Sequence, residues 1–394
     1  MGCNTMFDEQ EKIRTEEFPQ LLDRVWLNSS AFVPHPKSVV KAMHRFINYF
    51  HNPGIGEPVD DYQAEESIGA LNGAAKMFNC TPDDVSLVIN TAHGLNFPML
   101  GIEWKKGDNL VTSALEFPAN YYPWKYISRK KCVEFREAKI NEKIQISEDE
   151  IIDLIDDNTK LVALSLVQFS NGQRVDAKKI TKAAHDHGAL VAFDAIQACG
   201  ATEVYPKEMD ADFVSAGGPK YLMAPLGIGL CYINPKIVDS MEPPMQGVGN
   251  YDFSDRDWMH REKPYHKGAK RFQNGTVPYY CVAGLNASLK LINSIGIQKI
   301  ANHNHSLIDI LIEGLEDLDL RIITPYESSR RGVLAHARVD KNKNLNKIVQ
   351  IMEEKYKVTI STRFDGLRFS VQLYNTEDDI HTALNALKAT LKEV

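Results

Sequence analysis

Lys220 stands in Ala216-Gly217-Gly218-Pro219-Lys220-Tyr221-Leu222-Met223-Ala224-Pro225, a run of small and apolar residues, and Asp194 ends the apolar stretch Leu190-Val191-Ala192-Phe193 upstream of it. A lone amine in a small-residue loop can condense with an aldehyde as a Schiff base, and a carboxylate ending a buried strand can keep a pyridine nitrogen protonated. These are the two groups that pyridoxal 5'-phosphate (PLP) chemistry requires. Each also has a plainer reading, since a strand-end Asp can cap the helix that follows it and a lysine alone is usually solvated.

The surrounding elements must bring the two residues to one edge. Leu161 to Val167 is a continuous apolar run of strand length, Ala177 to His187 has helical periodicity stopped by Gly188, and Ala189 to Asp194 reads as a second strand, which makes a βαβ unit. Ser86 to Ile89 and Asn109 to Thr112 bracket a further helix, starting after Thr91-Ala92-His93-Gly94. This alternation predicts a mostly parallel, helix-covered α/β sheet whose ligands gather at the carboxyl ends of its strands. Beyond the helical pattern Ala283 to Asn293 come short strand candidates (Arg321 to Thr324, Val333 to Val339, Thr359 to Thr362, Leu367 to Val371) and helices (Leu345 to Lys355, Asp378 to Lys392), the pattern of a compact α+β domain. The expected organisation is an N-terminal segment over 1–26, a large domain over 27–285 and a small C-terminal domain over 286–394.

With 394 residues, 43% hydrophobic and 25% charged, the chain can bury one large core and an appended smaller one. Its net charge of -7 offers no general attraction for nucleic acid or an anionic membrane, so neither is expected as a partner. Six cysteines (Cys3, Cys80, Cys132, Cys199, Cys231, Cys281) show no metal-ligand spacing and fit a reducing compartment. The stretch from Met1 to Arg14 is polar and no run of about 18 apolar residues occurs, so the expected location is cytoplasmic. His303 and His305, two apart, fall on different faces of a helix; they are read as exposed polar residues, and no metal site is expected. Gly227-Ile228-Gly229 lacks the third glycine of a dinucleotide-binding turn, which disfavours a nicotinamide enzyme.

Where Asp194, Gln197 and Lys220 line up, the chain resembles the class V aminotransferase family of fold type I PLP enzymes, over roughly residues 25 to 390. That family includes cysteine desulfurases, cystine C-S lyases, isopenicillin N epimerases and kynureninases. The resemblance implies a large domain with a mostly parallel seven-stranded sheet, a small α+β domain, and PLP as cofactor. It implies that Asp194 holds the pyridinium proton, that Gln197 hydrogen-bonds the cofactor's phenolic oxygen, and that Lys220 carries the Schiff base.

Pro219 departs from the family, many members of which have a phosphate-binding His there; proline has no side-chain donor. Phosphate binding then falls to Thr91, Ala92 and His93 at a helix N-terminus, with Ser215 and Gly217 assisting. Phe117, in Leu115-Glu116-Phe117-Pro118-Ala119-Asn120, takes the place of the family's ring-stacking His, though an ordinary core Phe is the alternative. Asn171, in Phe169-Ser170-Asn171-Gly172-Gln173, is similar to a cofactor or substrate contact of cystine lyase-type members. Thr276, ending Arg271-Phe272-Gln273-Asn274-Gly275-Thr276, matches a loop that reaches the neighbouring subunit's phosphate, which implies a homodimer with shared sites. Arg368 matches the clamp of the substrate α-carboxylate, and Asn28 and Ser30 lie in a segment resembling the family's substrate gate.

Desulfurases of this family carry a Cys-bearing loop before the carboxylate arginine, whereas only Phe364 to Leu367 separate Arg363 from Arg368 and no cysteine follows Cys281. With Lys220 taking the Cα proton of an amino acid, the expected reaction is β-elimination by a C-S lyase. The alternatives are transamination, epimerisation, kynureninase-like cleavage, desulfuration by an atypical thiol, and a catalytically idle binding protein of the same fold.

Overall fold

The computed structural model describes residues 4–52 and 59–394, so Met1 to Cys3, including one of the six cysteines, lie outside the described residues. Seven strands form the large sheet: β1 (Val85–Val88), β2 (Asn109–Ser113), β3 (Glu134–Ala138), β4 (Thr159–Ser165), β5 (Leu190–Asp194), β6 (Phe213–Gly217) and β7 (Gly229–Ile233). Their order is β1-β7-β6-β5-β4-β2-β3, and only β7 runs antiparallel to its neighbours. Alternate residues of one strand feed two different cores: Val191 and Phe193 of β5 join one apolar cluster and Ala192 the other. A sheet covered on both faces needs such unbroken apolar strands, which is why β4 and β5 read as continuous runs in the sequence.

A second, antiparallel sheet contains β8 (Arg321–Ile322), β9 (Leu334–Arg338), β10 (Ser361–Arg363) and β11 (Gly366–Ser370), in the order β10-β11-β9-β8. The helices Ile297–Glu316, Leu345–Tyr356 and Glu377–Glu393 supply the rest of its core. The helix Tyr279–Ile295 instead buries Val282, Leu285, Leu289 and Ile292 in the large core. Near the chain's start, Val25–Trp26 pairs in parallel with Val358–Thr359, and Leu27 is buried with the small sheet. Among the described residues no helix is long and apolar enough to cross a membrane.

The predicted elements are present with shifted ends, and four details differ. The helix after β1 is Thr91–Gly101, beginning before Gly94, because the Asn90 side chain accepts from the His93 amide at 2.9 Å and caps it there. The strand expected over Thr359 to Thr362 is split, Thr359 pairing with Trp26 and Ser361–Arg363 with β11. Strands β3, β6 and β7 carry no clear sequence signal, and the end of β6 falls in the run read as a loop before Lys220. His303 is half-buried, with Nε2 at 2.9 Å from the Asn375 carbonyl, and His305 is half-buried too, so neither is an exposed polar residue; the second histidine is instead pulled down to about 4 by burial.

Candidate active site

β5 and β6 lie side by side with Asp194 opposite Ser215, so Asp194 and the loop after β6 emerge at the same carboxyl edge. That loop folds back tightly. A Cβ on Gly218 would stand 2.7 Å from the Pro225 carbonyl oxygen, which only glycine avoids. The turn is closed by Gly218 N donating to the Ile228 carbonyl (2.8 Å), Ala224 N to that of Gly218 (2.9 Å) and Met223 N to that of Lys220 (2.8 Å). Lys220 is thereby projected over Phe117, its Nζ 5.6 Å from the ring centroid. The Phe117 ring meets Phe169 edge-on at 5.2 Å and stays 41% exposed, so it is no core residue.

Electrostatics couple Lys220 to Asp194. Burial pushes the Asp194 carboxyl up to about 7, although Oδ1 accepts from the Ile196 amide at 2.9 Å and the Lys220 ammonium favours the anion. Burial likewise pulls Lys220 down to about 8; Asp194 opposes that shift, and Arg368 and Arg363 reinforce it. Both groups are thus held toward neutrality, an amine ready to attack a carbonyl and a carboxyl awaiting a cation. Glu116, also buried, adds to the upward push on Asp194. It accepts from Ser113 Oγ, Asn120 Nδ2, the Ser165 amide and Oγ, and Gln168 Nε2. Sequence reading passed over it, because its neighbour Phe117 carried the motif and burial is not legible locally.

The helix Thr91–Gly101 begins at this edge. Its first amides, Thr91 and Ala92, have no intrahelical carbonyl to bond, whereas that of His93 is taken by Asn90. Thr91 Oγ1 accepts from the Gly217 amide (2.9 Å), and Ser215 Oγ donates to the Thr91 carbonyl (2.9 Å). Ser215 and Gly217 therefore fasten the helix terminus to β6. The His93 ring Nδ1 accepts from the Ile89 amide at 3.3 Å, and burial pulls that imidazole below its usual range.

On the other side, Arg368 reaches in from β11 and is fully buried. Its Nη1 donates to the Phe169 carbonyl (2.6 Å) and its Nε to Ser361 Oγ (3.2 Å), while Nη2 has no partner and no carboxylate pairs with it among the described residues. Gln197 Nε2 donates to the Ser30 carbonyl (3.1 Å); the Ser30 amide in turn donates to Ser370 Oγ (2.9 Å), and Asn28 bridges to Ser370. Lys220, Asp194, Phe117, Gln197, Arg368, Ser30 and Asn28 thus form one neighbourhood. Two of the sequence-derived candidates make no hydrogen bond to these residues. The Asn171 side chain is spent on the Ile144 carbonyl (2.5 Å) and the Gln173 amide (2.9 Å), and Thr276 is exposed on the loop before Tyr279–Ile295.

The arrangement fits PLP. Besides the amine, the carboxyl, the aromatic face and the open helix terminus, Gln197 Oε1, Arg368 Nη2 and Asn28 Oδ1 are buried polar atoms lacking partners, which a polar ligand would supply. The family model for Aminotransferase class-V matches residues 25–382. A probable cysteine desulfurase of Methanothermobacter thermautotrophicus is 29% identical over 80% of this chain and 78% of its own length. One of Pyrococcus abyssi is 26% identical over 96% of this chain and 97% of its own. Among solved structures, the apo cysteine desulfurase of Thermococcus onnurineus NA1 superposes with a TM-score of 0.87 at 23% identity, covering 98% of both chains. The cystine C-S lyase C-DES, in complex with its product cysteine persulfide, gives 0.85 at 20% identity over 94% of this chain and 99% of its own. The chain belongs to the class V aminotransferase family and is a PLP-dependent enzyme of the fold type I architecture.

Proposed function

We propose that this enzyme cleaves the C–S bond of a sulfur-containing amino acid by β-elimination, without a protein persulfide. The observation that carries the reading is the link between β10 and β11. Arg363 pairs directly with Gly366, so the connection is the two residues Phe364 and Asp365, neither of them a thiol. Cys199, the thiol on which Asp194 acts, is buried and driven far up by desolvation, which leaves it protonated and a poor nucleophile.

When bound, PLP supplies an electron sink for the pair left at the substrate Cα. Lys220 would capture the cofactor, and Asp194 would keep its ring nitrogen protonated. Gln197 would bond its phenolic oxygen, Phe117 would pack on its face, and Thr91, Ala92 and His93 would hold its phosphate, with Ser215 and Gly217 fixing that terminus. Arg368, steadied by Phe169 and Ser361, has a free Nη2 to take the α-carboxylate, and that grip orients the Cα–H bond toward Lys220. Near pH 8 the Lys220 amine can accept that proton. Loss of the β-sulfur then needs no further protein nucleophile. Asn28 and Ser30 would line the substrate entrance and Asn171 would support it from its loop. Thr276, exposed in one chain, would serve the partner's site in a cytoplasmic homodimer.

Replacing all six cysteines by Ser or Ala tests the mechanism. The PLP-loaded variant should retain production of pyruvate and ammonia from cystine or a cysteine S-conjugate. A folded, PLP-loaded but inactive variant, or a persulfide trapped on the wild-type chain with alanine as product, would establish desulfuration instead.

A further inference from the structure

Arg363 has no role in the chemistry above, yet it shares a surface with Arg368. In the β10-β11 register Ser361 faces Arg368 and Arg363 faces Gly366, so Ser361, Arg363, Gly366 and Arg368 occupy one face of the sheet. Gly366 adds no side chain between the arginines, and none would fit, because a Cβ there would stand 2.4 Å from both the Ala337 carbonyl oxygen and the ring Nε2 of buried His336, which packs against this position. Arg363 is half-buried, and its one hydrogen bond runs from Nη1 to the Thr362 carbonyl (2.7 Å).

The nearby acids are all engaged elsewhere. Asp365 is paired with Arg338 (2.7 Å), Glu116 is enclosed by five donors, and Asp194 accepts from the Ile196 amide and is electrostatically coupled to Lys220. Among the described residues Arg363 and Arg368 form no ion pair. Two desolvated guanidinium groups without counter-charge repel one another, and each also disfavours charge on Lys220. An α-carboxylate neutralises one of them. Arg363 is left.

We propose that Arg363 is a specificity residue that binds an oxyanion at the end of the substrate's side chain, so that the preferred substrates are amino acids with a second acidic group. The inference rests on the assignment of Arg368 to the α-carboxylate, but not on the fate of the Cα carbanion. Its first test therefore needs no turnover: calorimetric binding of succinate, glutarate and adipate to the PLP-loaded enzyme, against the monocarboxylates of equal chain length.

At least one dicarboxylate should bind about 10-fold or more tightly than its monocarboxylate, as a second charge-assisted bidentate contact allows. Arg363→Gln should abolish that preference and Arg363→Lys should keep part of it, because charge survives without the planar fork. In turnover, Arg363→Gln should lower kcat/KM for S-carboxymethylcysteine about 10-fold more than for S-ethylcysteine. Equal binding of di- and monocarboxylates by the wild type, or a preference that survives Arg363→Gln, overturns the proposal. Dicarboxylate selectivity in an enzyme that proves to transaminate would leave it standing and sink only the elimination reading.

Discussion

At the residue scale, the shared burial of Lys220 and Asp194 governs how the cofactor is captured. An amine attacks an aldehyde only when neutral, and the neutral fraction of a lysine grows as pH rises through its pKa. With Lys220 pulled from 10.5 to about 8, the rate of PLP capture by cofactor-free protein should rise with pH and level off above about 8. Stopped-flow absorbance would follow it, and a rate still climbing near pH 10 would contradict the assignment. Borohydride reduction and peptide mapping should find the pyridoxyl group on Lys220, and Lys220→Ala should show no such capture. Lys220 and Asp194 stand out in the sequence as candidates because each sits in a distinctive run, and Gln197 and Arg368 through the motifs that resemble the family's. Glu116 and Arg363 were not, since an acid enclosed by five donors and an arginine without an acid look ordinary until their neighbours are known.

Among the elements, the helix Thr91–Gly101 matters most, because its position on β6 decides where two free amides point. Gly94 permits that approach: a Cβ there would meet Ser215 Oγ at 2.4 Å and Cys231 Sγ at 3.0 Å. Gly94→Ala should push the helix off the strand, with a stability loss of about 1–3 kcal/mol from overpacking and a weakened affinity for PLP, read from urea unfolding and spectral titration. A loss of stability with unchanged PLP affinity would show that this helix terminus does not hold the phosphate. Pro219 gives the element its weight, because the residue before Lys220 has no side-chain donor with which to share the anion in the proposed site. The sequence placed a strand-to-helix turn here but started the helix too late, because an Asn cap reads much like any loop Asn.

For the whole molecule, the large and small sheets must meet with Arg368 facing Lys220. Gln372, fully buried, holds that meeting. Its Nε2 donates to the carbonyls of Tyr221 (2.8 Å) and Gly200 (3.1 Å), and its Oε1 accepts from the Leu373 amide (2.8 Å) and Asn304 Nδ2 (3.2 Å). Gln372→Leu keeps the bulk and strands these groups, at a cost of about 1–3 kcal/mol for each one left unsatisfied. Denaturant unfolding should show that loss, together with a raised KM as Arg368 drifts from the loop carrying Lys220. Unchanged stability and KM would mean that the packed helices alone keep the sheets in register.

The amino-acid sequence by itself determined the alternating α/β architecture, the strand-end acid, the loop lysine and the shortness of the segment before Arg368. All of these are local, set by the periodicity of apolar residues and by the conformations open to Gly and Pro. Tertiary structure alone decided that β7 runs against its neighbours, that the segment around Ser30 meets Ser370 on the far side of the site, and that the Asn171 amide bonds the Ile144 carbonyl. It also decided which charges stay uncompensated. Those outcomes depend on pairings between residues separated along the chain, by 340 positions for Ser30 and Ser370, whose partners no local pattern names.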